Sequence, residues 1–151
     1  MNEQRFLDPH LTGRPDEAAR QAAARILAGP HLSILSTTNP DGSPQASVIF
    51  VKPDGADILF STITGRRKTR NMQRDPRVNL LVHSLSGDES YASISSVVEL
   101  TDDPTGAFHQ VMYDLHMGGV PAPVEPGAQR MIVRLRPTRT YAPPLFVPEA
   151  Q

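Results

Sequence analysis

The chain has 151 residues, enough for one domain with a sizeable core, and 38% of them are hydrophobic. Fifteen Lys and Arg stand against 16 Asp and Glu, for a formal net charge of −1, which argues against a general role on nucleic acid or on a membrane surface. With no cysteine, disulfides, zinc thiolate sites and cysteine nucleophiles are excluded.

The opening residues Met1-Asn2-Glu3-Gln4-Arg5 lead into no apolar leader, and no run approaches the roughly 20 apolar residues of a membrane span. A cytoplasmic protein with no membrane partner is the expectation. Residues 1–14 read as a flexible, polar N-terminal segment, 15–145 as a single domain, and 146–151 as a proline-broken tail. Pro15 and Asp16 open a helical pattern. Ala18, Ala19, Ala22, Ala23, Ile26 and Leu27 recur at helix spacing, and Gly29-Pro30 stops it.

From Leu32 the pattern becomes that of strands. Leu32–Thr38 ends at Asn39-Pro40-Asp41-Gly42, a strong turn signal. Gln45–Val51 follows, then the turn Pro53-Asp54-Gly55, then Asp57–Thr62. These three strands are expected to form an antiparallel meander. Gly65–Arg74 is polar and helix-compatible, and Asp75-Pro76 ends it. Arg77–His83 is a fourth strand and Tyr91–Leu100 a fifth. Asp102 or Asp103 is expected to cap a helix with Pro104 near its first position, running to about Leu115. A Gly/Pro loop spans Met117–Gly127, Met131–Leu135 is a sixth strand, and Arg139–Ala142 starts a seventh. Six or seven short strands with few helices predict a mainly β domain, an antiparallel barrel or sandwich.

Chemistry concentrates between Phe60 and Arg77. A strand delivers the hydroxyls of Ser61 and Thr62, Gly65 makes a turn, and Arg66, Arg67 and Lys68 open a helix. Backbone N–H groups at a helix start attract anions, hydroxyls add donors, and arginine binds phosphate oxygens in pairs of hydrogen bonds. The same composition also fits a solvated basic face. Single-stranded nucleic acid needs interleaved aromatics, and none occurs between Thr62 and Leu80. No hydrolase triad or metal-ligand spacing is present. His109 and His116, seven apart on a possible helix, read as surface or interface residues. His83 reads as a strand-end residue with a possible proton-donor role, and Tyr91, Tyr113 and Tyr141 as core packing.

The run Ser61-Thr62, Arg66-Arg67-Lys68-Thr69-Arg70-Asn71 and Arg74-Asp75-Pro76-Arg77-Val78 resembles the signature of the flavin/deazaflavin oxidoreductase superfamily. That superfamily includes the pyridoxamine 5′-phosphate oxidases, and the likeness is greatest to its F420-dependent branch. The opening Leu35–Pro44 and the ending Arg130–Tyr141 share it, so it covers roughly residues 20 to 142. The resemblance implies a split β-barrel of the FMN-binding type, paired as a homodimer with cofactor sites at the subunit interface. It implies that Ser61, Thr62, Arg66, Arg67 and Lys68 hold the cofactor phosphate. The backbone of Ser47-Val48-Ile49-Phe50 would run beside the tricyclic ring, with Lys52 at the pocket or its rim. Asn71 would brace the loop, and Arg130 and Arg139 would reach across the dimer. Ser95-Ser96 stands where the family usually has a glycine. F420 is the expected cofactor, with FMN the alternative. Arg70, Arg74 and Arg77 are available for the acidic tail that F420 carries. The implied function is hydride transfer between reduced F420 and a small organic acceptor. Alternatives are an FMN-dependent oxidase or flavin reductase, or a carrier that holds F420, FMN or haem without turnover.

Overall fold

The computed structural model describes residues 15–88 and 90–143; the expected N-terminal segment (1–14) and tail (146–151) lie outside the described residues. The chain runs α1 (Pro15–Ala28), β1 (His31–Thr38), β2 (Pro44–Ile49), β3 (Lys52–Asp54), β4 (Asp57–Ile63), α2 (Arg67–Arg74), β5 (Arg77–Ser84), β6 (Tyr91–Asp102), α3 (Ala107–His116) and β7 (Arg130–Tyr141). All strands form one antiparallel sheet in the order β2-β1-β5-β6-β7-β4-β3.

That order places β2 and β3 at opposite edges, although only Phe50 and Val51 separate them. Three residue steps span at most about 11 Å. The sheet must therefore curl until its two edges nearly meet, which is the expected antiparallel split barrel. One face of every long strand fills the interior. Leu35, Phe60, Leu80, Val82, Val133 and Leu135 are fully buried there by strand alternation. α1 lies against β5, β6 and β7, burying Ala19, Ala23 and Ile26. The Asp16 carboxylate accepts from the Thr140 amide (3.0 Å), which fastens the helix start to β7.

Three expectations need correction. The first three predicted strands do not form a meander: β2 pairs only with β1, and β4 pairs with β3 and β7. The extra strand β3 is three residues long and contains Pro53, which is tolerated because β3 is an edge. The sixth and seventh predicted strands are one strand. Pro137 does not break β7, because the register with β6 shifts there: Ser95 faces Arg139 while Ser96 faces Pro137. Thr138 is the extra residue, and its hydroxyl donates to the Ser95 carbonyl (3.1 Å). The position where the family usually has glycine is therefore a bulge. Finally, α3 starts at Ala107, behind a Gly106 cap in left-handed conformation (φ 70°). Asp103 still satisfies the helix start from a distance, accepting from the amides of Phe108 (3.3 Å) and His109 (3.1 Å).

Candidate functional site

The site follows from how β2 and β3 part. In the β3–β4 hairpin Asp54 faces Asp57 and Lys52 faces Leu59. Continued, that register would set Phe50 against Ser61. Instead the pairing stops at Lys52, and from Ile49 backwards the chain pairs with β1. A fork thus opens between Phe50 and Ser61. Phe50 is 58% exposed and Val48 64%, whereas Val51 is buried.

β4 delivers its two hydroxyls to opposite faces. The Ser61 Oγ is buried without a hydrogen-bond partner among the described residues. The Thr62 hydroxyl points inward, 2.9 Å from Thr69 Oγ1, and Thr69 Oγ1 donates to the Ile63 carbonyl (2.8 Å). With Thr69 committed as donor, Thr62 donates to Thr69. The Thr62 side chain therefore clamps α2 onto β4 and is spent there, which removes it from the expected phosphate donors and leaves only its backbone.

Gly65 turns the chain at φ 87°, and the Thr64 amide bonds the Gln129 carbonyl (3.0 Å). α2 then starts with no side-chain cap at Arg66, so its first amides face outward with the positive end of the helix dipole. Asn71, 2% exposed, donates to Thr37 Oγ1 and Asn39 Oδ1 (3.0 Å each). It braces the helix against the β1 end, in the role expected of it.

The cations divide into engaged and unengaged. None of the ion pairs among the described residues includes Arg67, Lys68 or Arg70. Lys68 is half-buried, and its amine is held below the usual lysine value, first by burial and then by the Arg66 charge. An unpaired, partly dehydrated cation next to a second one is a favourable place for an anion. Arg66 pairs at 3.8 Å with Glu125, which also takes Arg130 at 3.5 Å. Arg130 opens β7 opposite Ile63, so it joins the cation cluster within its own chain. Arg74 is committed to the Thr38 carbonyl and Asn71. Arg77 is committed to Asp75 (2.9 Å), whose carboxyl its hydrogen bonds pull down to about 2. Among the described residues, only Arg70 of the three arginines offered for an acidic tail stands without an ion pair or hydrogen bond of this kind.

The other predicted residues are dispersed. Ser47 and Ile49 share the face of Leu35 and Ser33, and the Ser47 Oγ is a second buried hydroxyl without a partner. Lys52 opens β3 opposite Leu59. Arg139 faces Ser95 at the bulge, away from the fork. His83 lies on β5, separated from β2 by β1.

Two residues at the site escaped the sequence reading. Glu125 lies in a loop without periodicity. His116 ends α3 at the fork: its ring stacks on Phe50 (4.8 Å between centroids, 10° between planes), and its Nε2 lies 3.0 Å from the Val51 carbonyl. Nothing in the seven-residue spacing to His109 signals either contact.

The buried Ser61 hydroxyl, without a partner among the described residues, the cations Arg67 and Lys68 and the uncapped helix start follow one another along one segment and form a donor set that fits a phosphate-bearing ligand, whereas the Ser47 hydroxyl lies on the interior face with Leu35 and stands apart from it. Among the described residues no group of His, Asp and Glu could hold a metal ion, and no helix is long and apolar enough to cross a membrane.

Comparison with known proteins agrees with this geometry. The sequence model of the pyridoxamine 5′-phosphate oxidase family matches residues 19–142. A pyridoxine/pyridoxamine 5′-phosphate oxidase of Rubrobacter xylanophilus is 38% identical over 72 residues, 47% of this chain and 32% of that protein. The Paraburkholderia phymatum counterpart is 24% identical over 103 residues, 68% of this chain and 49% of that protein. The chain thus spans about a third to a half of the length of these curated relatives. Among solved structures, an F420 reductase is 32% identical, with a TM-score of 0.72, covering 78% of this chain and 94% of its own.

Proposed function

Because this chain belongs to the pyridoxamine 5′-phosphate oxidase family, we propose that it is an oxidoreductase that uses F420 to transfer a hydride to or from a small organic acceptor. The observation that carries the proposal is the fork between Phe50 and Ser61, which opens beside an uncapped helix start bearing the unpaired cations Arg67 and Lys68. The similarity to an F420 reductase supports the choice of cofactor.

In this reading the Ser61 hydroxyl, the Thr62 backbone, Arg66, Arg67 and Lys68 hold the cofactor phosphate. Lys68 gains most from the anion, since its charge is half-buried without a counter-ion among the described residues. The backbone of Ser47, Val48, Ile49 and Phe50 lies along the ring, and Lys52 closes the rim. When bound, the cofactor supplies the hydride chemistry; the protein supplies position, charge and exclusion of water. Arg70 stands ready for the acidic tail. A homodimer with two such sites at its interface is part of the proposal. Leu32 and Val48, on the paired strands β1 and β2, are exposed apolar residues on the outer face of the sheet that a second copy would cover.

FMN is the second reading. It is favoured by the commitment of Arg74 and Arg77 to partners of their own, which thins the cation supply for an acidic tail. A carrier role without turnover stands behind both, because no acid or base among the residues expected from the sequence lies at the fork. Fluorescence titration of the purified protein with F420 and FMN tests these readings. Tighter binding of F420, with consumption of the reduced form on adding acceptors such as quinones, supports the proposal. Preference for FMN moves the protein to the second reading, tight binding without turnover leaves the carrier, and binding of neither refutes the F420 and FMN readings.

A further inference from the structure

We propose that His116 is a positioning residue for the ring portion of the cofactor site, acting by fixing the Phe50–Val51 crossing at the fork. The proposal rests on the cofactor reading above. Phe50 and Val51 are the only two residues between β2 and β3, and the chain changes partners there from β1 to β4. The crossing thus lies outside both ladders. Val51 is 2% exposed, and its buried carbonyl needs a donor. His116 supplies one through Nε2 at 3.0 Å. A carbonyl can only accept, so Nε2 carries a proton and donates it to Val51. The same imidazole lies flat against the Phe50 ring, with 10° between planes, although Phe50 is more than half exposed. One side chain therefore holds the backbone of one crossing residue and the ring of the other. α3 ends at His116, and Gly118 and Gly119 in left-handed conformation carry the chain away, so the imidazole is presented at a fixed point.

The test separates ring from phosphate. Wild type and His116→Ala are titrated with FMN, F420, riboflavin (the ring without its phosphate) and inorganic phosphate, and amide hydrogen exchange is followed at Phe50–Lys52. The expected result is at least a fivefold loss for FMN, F420 and riboflavin alike, inorganic phosphate unchanged, and faster exchange at the crossing. Should the alanine variant fail to fold, His116→Phe keeps the stack and His116→Gln keeps a donor; each is expected to lose at least twofold for riboflavin. Wild-type riboflavin affinity and unchanged exchange in the folded variants overturn this proposal alone. Failure of the wild type to bind any ring ligand overturns the cofactor reading and this proposal with it.

Discussion

Removing the phosphate cations gives the sharpest test of the site. In the double variant Arg66→Ala/Lys68→Ala the two losses are unequal. Lys68 has no ion-pair partner among the described residues and is half-buried, so its charge-assisted bond to a phosphate is worth roughly 1.5–3 kcal/mol. Arg66 is mostly exposed and already shares Glu125 at 3.8 Å, so its net share is about 0.5–1 kcal/mol. The sum of roughly 2–4 kcal/mol corresponds to a 30- to 700-fold loss of FMN or F420 affinity at about 1.4 kcal/mol per tenfold. The variant is expected to fold, because Lys68 carries a partly dehydrated charge whose burial opposes folding near neutrality. Its amine titrates below the ordinary lysine value, so its cost is relieved as pH rises through that lowered value toward 10.5. The assay is fluorescence titration with FMN, F420 and, as the phosphate-free control, riboflavin. A folded double variant that loses less than about tenfold for FMN, or as much for riboflavin as for FMN, refutes the placement of the phosphate.

Three further outcomes are expected. Thr69→Val strands the Thr62 hydroxyl and the Ile63 carbonyl at a fully buried position, costing roughly 2 kcal/mol and lowering the melting temperature by roughly 4–8 °C; an unchanged melting curve refutes the clamp. Glu125→Gln frees Arg66 and Arg130 from their shared carboxylate, so affinity for inorganic phosphate rises about two- to fivefold, as suits exposed ion pairs, with stability nearly constant; weaker phosphate binding in the variant refutes the competition. Asp75 titrates at about 2 in the folded chain against an ordinary 3.8, because Arg77 hydrogen-bonds its ionised form. Its contribution is therefore complete above pH 4 and lost as pH falls through 2, so Asp75→Asn should flatten the melting-temperature profile across that window, and an identical profile refutes the assignment.

What the sequence shows well is local. The apolar spacing of Ala19, Ala23 and Ile26 finds α1, and the turn at Asn39–Gly42 finds the β1–β2 hairpin, where Gly42 takes φ 86°. The run Gly65–Arg74 locates the cationic helix within two residues. What it hides is which strand pairs with which. A Pro-Asp-Gly turn after Val51 reads equally as a turn from β2 into the next strand or as the tip of a separate hairpin. Only the second keeps the turn chemistry and also lets the sheet close. Pro137 fails as a breaker for a related reason: a proline forbids an amide bond, but a bulge removes the need for one.

The site was half legible, and one part of the other half was available without any structure. Side chains on a strand alternate between faces, so adjacent hydroxyls such as Ser61 and Thr62 cannot both reach one ligand with their side chains. The inward member must find a buried partner, and the structure supplies it in Thr69, the residue that follows Lys68 in the first turn of α2. Alternation thus shows that at most one of the two hydroxyls can serve the proposed phosphate site, and the Thr62–Thr69 contact identifies Thr62 as the one that fixes α2. His116 and Glu125 yield to no such rule. Their partners, Val51 and Phe50 for one, Arg66 and Arg130 for the other, lie far away in sequence or on separate elements, and each contact exists only once the barrel has curled and split. The proposed phosphate half of the site draws on one contiguous segment, Ser61–Lys68, and can be read along the chain. The proposed ring half draws on β2, β3, β4 and α3, and its geometry belongs to the fork.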